Sequence, residues 1–197
     1  MSDWASYTLA DFLLFSARAY WRMFELHNQV WWPLPLATMA AGIAALAVAI
    51  LQPRHYARWI ALILAVLWAW IAWSFFWQRY AEINWAAAYV APIFASQAML
   101  LAIGAWGSRL RFDRRGAIGR VGFALVILAI FAYPLLAPAF DRPLAGAEIF
   151  GMAPDPTTIG TLGFLLLTHS RWTLALLPIP LLWVVMSGVT LWAMHSA

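Results

Sequence analysis

Apolar residues run through this chain in long blocks joined by short charged connections. Four blocks, Val30 to Leu51, Ala57 to Trp77, Trp85 to Trp106 and Ile118 to Leu136, each approach the roughly 20 residues that about 30 Å of hydrocarbon demands of a helix. A further block, Trp172 to Met194, is of the same kind and carries Pro178 and Pro180. The first three connections, QPRHYAR, QRYAEIN and GSRLRFDRRG, are short, so neighbouring spans are expected to run antiparallel. Pro33, Pro35, Pro92 and Pro134 fall near the ends or in the outer halves of spans, where they bend a helix without ending it. Between the fourth and last blocks lies a shorter one, Thr157 to Thr168, which as a helix would rise only ~18 Å against ~30 Å of hydrocarbon. It crosses if the bilayer thins, or if the loop before it dips into the protein so that the helix begins part-way down. The alternative is a re-entrant segment.

The start of the chain has a different pattern. Thr8 to Asn28 is apolar but interrupted by Asp11, Arg18, Arg22 and Glu25, whose spacing puts them on one helical face. That predicts an amphipathic helix lying in the membrane interface, since a span would carry two arginines and a glutamate into hydrocarbon. Residues 1–29 are thus expected to form this helix and residues 30–197 a helix bundle, together a single all-α polytopic membrane domain with six membrane segments, the fifth short. The opening residues, MSDWASYTLADF, lack the basic region and small-residue cleavage site of a signal peptide and are expected to remain in the mature protein.

Composition supports this class: of 197 residues, 65% are hydrophobic and only 10% charged, against roughly 25% charged in a soluble domain. The net charge of +4 does not imply nucleic acid, because its distribution has a better explanation. With the loop of Arg109, Arg111, Arg114 and Arg115 cytoplasmic, alternation also puts Arg54, Arg58 and Arg171 inside and leaves the external connections acidic. Both termini then lie outside, and Trp31, Trp32, Trp77, Trp85 and Trp192 fall at the outer interface, Trp59, Trp106 and Trp172 at the inner one. The arrangement expected is a multi-pass protein of a bacterial inner membrane, its arginines touching lipid head groups.

The most specific local pattern is GMAPDPTTIG. Asp155 suits an N-cap and Pro156 the first helical position, with Thr157 and Thr158 in the first turn. A helix start below the membrane surface presents free N–H groups to a polar solute, as the short helices of transporters do. Asp155 disfavours an anion there, leaving neutral polar or cationic solutes. Asp155, Thr157 and Thr158, with Glu148 from the acidic loop and Gln97 from the middle of the third span, form the candidate solute-binding set. The plainer reading is a capped helix behind a proline-rigidified loop, with Gln97 as an interhelical hydrogen-bond partner. The stripe Trp70, Trp73 and Trp77 lines either a pore or a packing surface, and the plainer reading is again packing.

Other chemistry is missing. His27, His55, His169 and His195 fall at helix ends without metal-binding spacing and are expected to be solvated, so no metal or haem is expected. No cysteine is present, and no nucleophile triad, phosphate-binding loop or dinucleotide motif appears, so neither an enzyme nor a cofactor is expected. No ionisable residue lies near the centre of a long span, which argues against ion-coupled transport.

The segments SDWASYTLADFLLFSARAYWRMFELHN and EIFGMAPDPTTIGTLGFLLL resemble a family of roughly 200-residue bacterial inner-membrane proteins of unknown function, some automatically labelled permeases. The resemblance runs along the whole chain and implies a polytopic membrane fold, but no catalytic residues. Two functions remain. One is a passive channel or permease for a small uncharged or cationic solute. The other is an accessory or scaffolding subunit of a membrane complex, for which Gly42, Gly104, Gly119 and Gly122 permit close helix packing. The partners expected are the lipid bilayer and other membrane subunits, or copies of the chain as a homo-oligomer.

Overall fold

The computed structural model describes residues 15–52, 55–106, 116–168 and 170–195, the last without the side chain of His195. Asp11, Arg54, the arginine-rich loop from Arg109 to Arg115 and His169 lie outside the described residues. Among the described residues the chain is all-helical, with no strand. Five helices are long and apolar enough to cross a membrane: α2 (Leu34–Leu51), α3 (Tyr56–Glu82), α4 (Ala87–Trp106), α5 (Gly116–Ala139) and α7 (Trp172–Met194). They coincide with the five long apolar blocks to within a few residues, and the chain is a membrane-embedded protein. Two further helices complete the set, α1 (Ala17–Val30) before them and α6 (Pro154–Leu166) between α5 and α7.

The outer helices keep broad apolar faces on the surface, with Leu51, Val66, Trp77, Trp106 and Val185 all exposed, as lipid-facing side chains are. Inward they pack around aromatic rings. Trp68 stacks on Phe94 with centroids 4.4 Å apart, and Phe76 meets Phe94 at 4.4 Å and Trp183 at 5.0 Å. Of the tryptophan stripe, Trp73 and Trp77 are exposed, while Trp70 packs edge-on against Trp31 with centroids 4.8 Å apart.

Proline explains two irregular stretches. In α5 the turn Leu128–Ala132 widens to a π-helix just before Pro134, which has no N–H to donate and whose ring crowds the carbonyl four residues back. In α7, Pro180 likewise leaves the carbonyl of Leu176 without its helical donor, and the Gln97 side-chain amide of α4 donates to that oxygen at 3.1 Å. A buried amide thus repairs a proline break, which is the interhelical role expected of Gln97.

The amino-terminal helix is amphipathic as expected, with Arg18 and Arg22 exposed and Tyr20, Met23 and Phe24 buried. Ser16 caps it by accepting from the Ala19 N–H at 3.2 Å. Asn28 pins it to the loop before α6, donating to the carbonyls of Ala145 at 2.9 Å and Ala147 at 2.8 Å. His27 corrects an expectation. It is not solvated but 1% exposed, edge-on to Phe75 with centroids 5.5 Å apart, and neither ring nitrogen has a hydrogen-bond partner.

The short helix sits at the centre. Of its 13 residues, ten are buried, the prolines, Asp155 and three threonines included. Its closest neighbour is α5, where glycine meets glycine: a Cβ built on Gly122 would stand 2.7 Å from the carbonyl oxygen of Gly163, and one on Gly163 would stand 2.7 Å from that of Gly122. The loop leading into α6 enters the bundle as well. Phe150 and Met152 are fully buried, and Phe150 fills the space left by Gly42 of α2 and Gly160 of α6.

Candidate functional site

The sequence places two prolines and an aspartate where α6 must begin, and the structure sets the register differently from expectation. Pro154, not Pro156, occupies the first helical position, and Ala153 rather than Asp155 is the N-cap. Either proline fits the first turn because its missing N–H would find no helical acceptor there. Taking the earlier one moves Asp155 to the second helical position and frees its side chain from capping. No side-chain cap is made; instead Gly151 and Thr157 close the start. The N–H of Gly151 donates to Thr157 Oγ1 at 2.7 Å, and that hydroxyl donates to the carbonyl of Ala153 at 2.8 Å. Gly151 has φ +81°, in the left-handed region, and a Cβ there would meet Thr38 and Leu67 at 2.8 Å, so the turn requires glycine.

Asp155 therefore points its carboxylate across to the neighbouring helices. Trp183 Nε1–H donates to Oδ1 at 2.7 Å, Ser187 Oγ–H donates to Oδ2 at 2.7 Å, and Tyr133 O–H reaches Oδ2 at 3.3 Å. All three donors are uncharged, and among the described residues no cation pairs with this carboxylate. Asp155 is 6% exposed and lines a pocket of about 170 Å³ with Tyr133, Ile159, Val184, Ser187 and Leu191. The pocket lies between α5 and α7, with α6 as its floor.

The remaining predicted residues separate. Thr157 spends its hydroxyl on the loop, as described. Thr158 is fully buried and its hydroxyl has no partner. Gln97 repairs the break in α7 and does not line the Asp155 pocket. Glu148, 5% exposed, lies 3.6 Å from Arg142 Nη2. Burial pushes the Glu148 carboxyl up to about 8, the nearby charge of Asp155 adding to the effect and Arg142 opposing it. The Arg142 guanidinium rests over the Trp21 ring, 3.6 Å from its centroid.

The structure brings Asp155 together with three residues outside the predicted set, Tyr133, Trp183 and Ser187. The signal in the sequence is slight: Trp183 and Ser187 stand four apart on the last span, one face offering an indole N–H and a hydroxyl in an otherwise apolar segment. Thr161 joins the same interior, donating to the carbonyl of Thr157 at 2.7 Å and accepting from Trp68 Nε1–H at 2.9 Å. The described residues contain no group of three or more His, Cys, Asp or Glu able to hold a metal.

A family model described as a family of unknown function (DUF6064) matches residues 17–195. No curated protein and no solved structure matches the chain.

Proposed function

We propose that this chain, which belongs to the DUF6064 family of unknown function, is a non-enzymatic protein of the bacterial inner membrane that passively passes a small uncharged or cationic solute, with the start of α6 as its point of contact. One observation carries the reading: the buried Asp155 carboxylate is held by three neutral donors and no cation among the described residues, and it faces a pocket. A carboxylate so placed attracts a cation or a polar neutral donor and repels anions. In this reading α6 is the short fifth of six membrane segments, the arginine-rich loops are cytoplasmic and both termini are external. The entry of Phe150 and Met152 into the bundle supports a helix that begins below the surface.

A second reading, an accessory or scaffolding subunit, is favoured by the packing of α6. Gly122 and Gly163 bring two backbones together, and most of the helix is enclosed by its own chain. Proteoliposomes separate the two. Methylammonium influx into vesicles carrying the protein should exceed that into empty vesicles and fall to background with Asp155→Asn. Equal influx in empty and loaded vesicles, together with co-purification of other subunits in mild detergent, favours the accessory role.

A further inference from the structure

Two neighbouring cavities beside α1 form a groove that changes character along its length. Its charged end is a cavity of about 280 Å³ lined by Arg18, Trp21, Arg22, Glu25, Arg142 and Gly146. Its apolar end is a cavity of about 620 Å³ lined by Trp32, Leu36, Met39, Pro134, Leu144 and Ile149, with Asn28 and Gln29 at its edge. On α1 the two ends share one face, since residues 18, 21, 22, 25, 28 and 29 recur at helical spacing. The opposite wall is one short stretch of loop, Arg142 to Ala147, which contributes to both cavities. The trough then continues past Trp32, in the turn between α1 and α2, to Leu36 of α2, the two being 65% and 57% exposed.

At the charged end, the Arg142 guanidinium lies over the Trp21 ring, and its buried Nε and Nη1 have no hydrogen-bond partner. Its nearest acid, Glu148, pairs with Nη2 at 3.6 Å and leaves the other two guanidinium nitrogens unmatched. Arg18 and Arg22 add two more positive groups, of which Arg22 pairs with Glu25. A planar guanidinium with unspent donors suits the two non-bridging oxygens of a phosphodiester.

We infer that this groove binds one phospholipid, its phosphodiester against Arg142, Arg18 and Arg22 and an acyl chain in the trough between α1, α2 and the loop before α6. The apolar end lies within the ~300–1,000 Å³ usual for small-ligand sites. A free phosphate would use the charged end alone. Continuity with an exposed apolar trough on a membrane helix selects the lipid.

The test uses the full chain purified in detergent, with palmitoyl-oleoyl phosphatidylglycerol as the probe and native mass spectrometry as the readout. One lipid should be retained per chain, and millimolar inorganic phosphate should not displace it. The double substitution Arg18→Gln and Arg142→Gln should weaken retention at least tenfold. Leu36→Trp, which fills the trough and leaves every arginine in place, should weaken it similarly and keeps the inference testable where the arginine variant fails to fold. Asp155→Asn should retain the lipid. Retention unchanged in both groove variants overturns the inference, and displacement by inorganic phosphate shows a soluble-anion site instead.

Discussion

The indole N–H of Trp183 donates to Oδ1 of Asp155 at 2.7 Å, tying the outward-facing last span to the first turn of the enclosed short helix. Ser187, one turn further along α7, holds the other carboxylate oxygen. Trp183→Phe keeps a ring against Phe76 and Phe94 but removes the donor, and should cost ~1–3 kcal/mol. Asp155→Ala leaves three donors facing nothing and should cost more. Because both changes act on one network, the double variant should lose less than the sum of the two. Thermal unfolding in detergent reads all three.

Close approach of α5 and α6 rests on the absence of two side chains. In Gly122→Ala and Gly163→Ala the new methyl meets backbone oxygen at 2.7 Å, which has no rotamer by which to retreat. Each should lower stability by ~1–3 kcal/mol. Gly188 of α7 provides the contrast, because nothing lies within 4 Å of a Cβ built there. Gly188→Ala should be neutral or gain up to ~1 kcal/mol from helix propensity. A melting temperature for Gly163→Ala equal to that of the parent chain would show that the helices do not approach as described.

Two groups around α1 respond to pH in opposite senses. Burial, with the positive charge of Arg79 as a smaller cause, lowers His27 from 6.5 to about 4. The folded protein therefore resists protonation, and the stability contributed by neutral His27 is complete above about pH 6.5 and lost as pH falls towards 4. The loss is on the order of 3 kcal/mol at most. Glu148, raised from 4.5 to about 8, works the other way: its contribution is complete below about pH 4.5 and lost as pH rises through 8. His27→Phe should flatten the acid side of a plot of melting temperature against pH, and Glu148→Gln the alkaline side. If neither variant changes the curve, the two groups are not buried in the folded state.

The spans were legible because a bilayer imposes length and apolarity on every helix it surrounds, and Leu34–Leu51 or Ala87–Trp106 leave no other reading. Which face of a span turns inward is written far more faintly. Lipid and protein interior are equally apolar, so nothing in VVMSGVT announces that Ser187 rather than Thr190 meets a carboxylate. In PDPTT two prolines each suit the first helical position, and the later one would make Asp155 the cap; nothing local in the sequence says that the helix starts at the earlier. His27 follows Tyr20, Met23 and Phe24 at helical spacing and so belonged to the buried stripe; its polarity concealed that. Thr157 and Gln97 are polar residues in apolar surroundings, a pattern that suits a ligand or an internal hydrogen bond equally; their side chains bond to a loop and to a proline break.

Whether α6 crosses decides where the carboxyl terminus lies. With 13 residues it rises only ~20 Å, but the thickness of hydrocarbon constrains helices that face lipid, and ten of its residues face protein. The backbone around its start is also satisfied internally, through Gly151, Thr157 and Ala153. A short enclosed helix reached by a buried loop can therefore connect the two sides without thinning the bilayer. The chain has no cysteine, so single-cysteine reporters are unambiguous. In intact spheroplasts a membrane-impermeant maleimide should label Leu144→Cys and Ser196→Cys, and should reach Ser108→Cys only after permeabilisation. Protection of Ser196→Cys together with Ser108→Cys would instead make α6 re-entrant, reduce the crossings to five and put the carboxyl terminus with the arginine-rich loops.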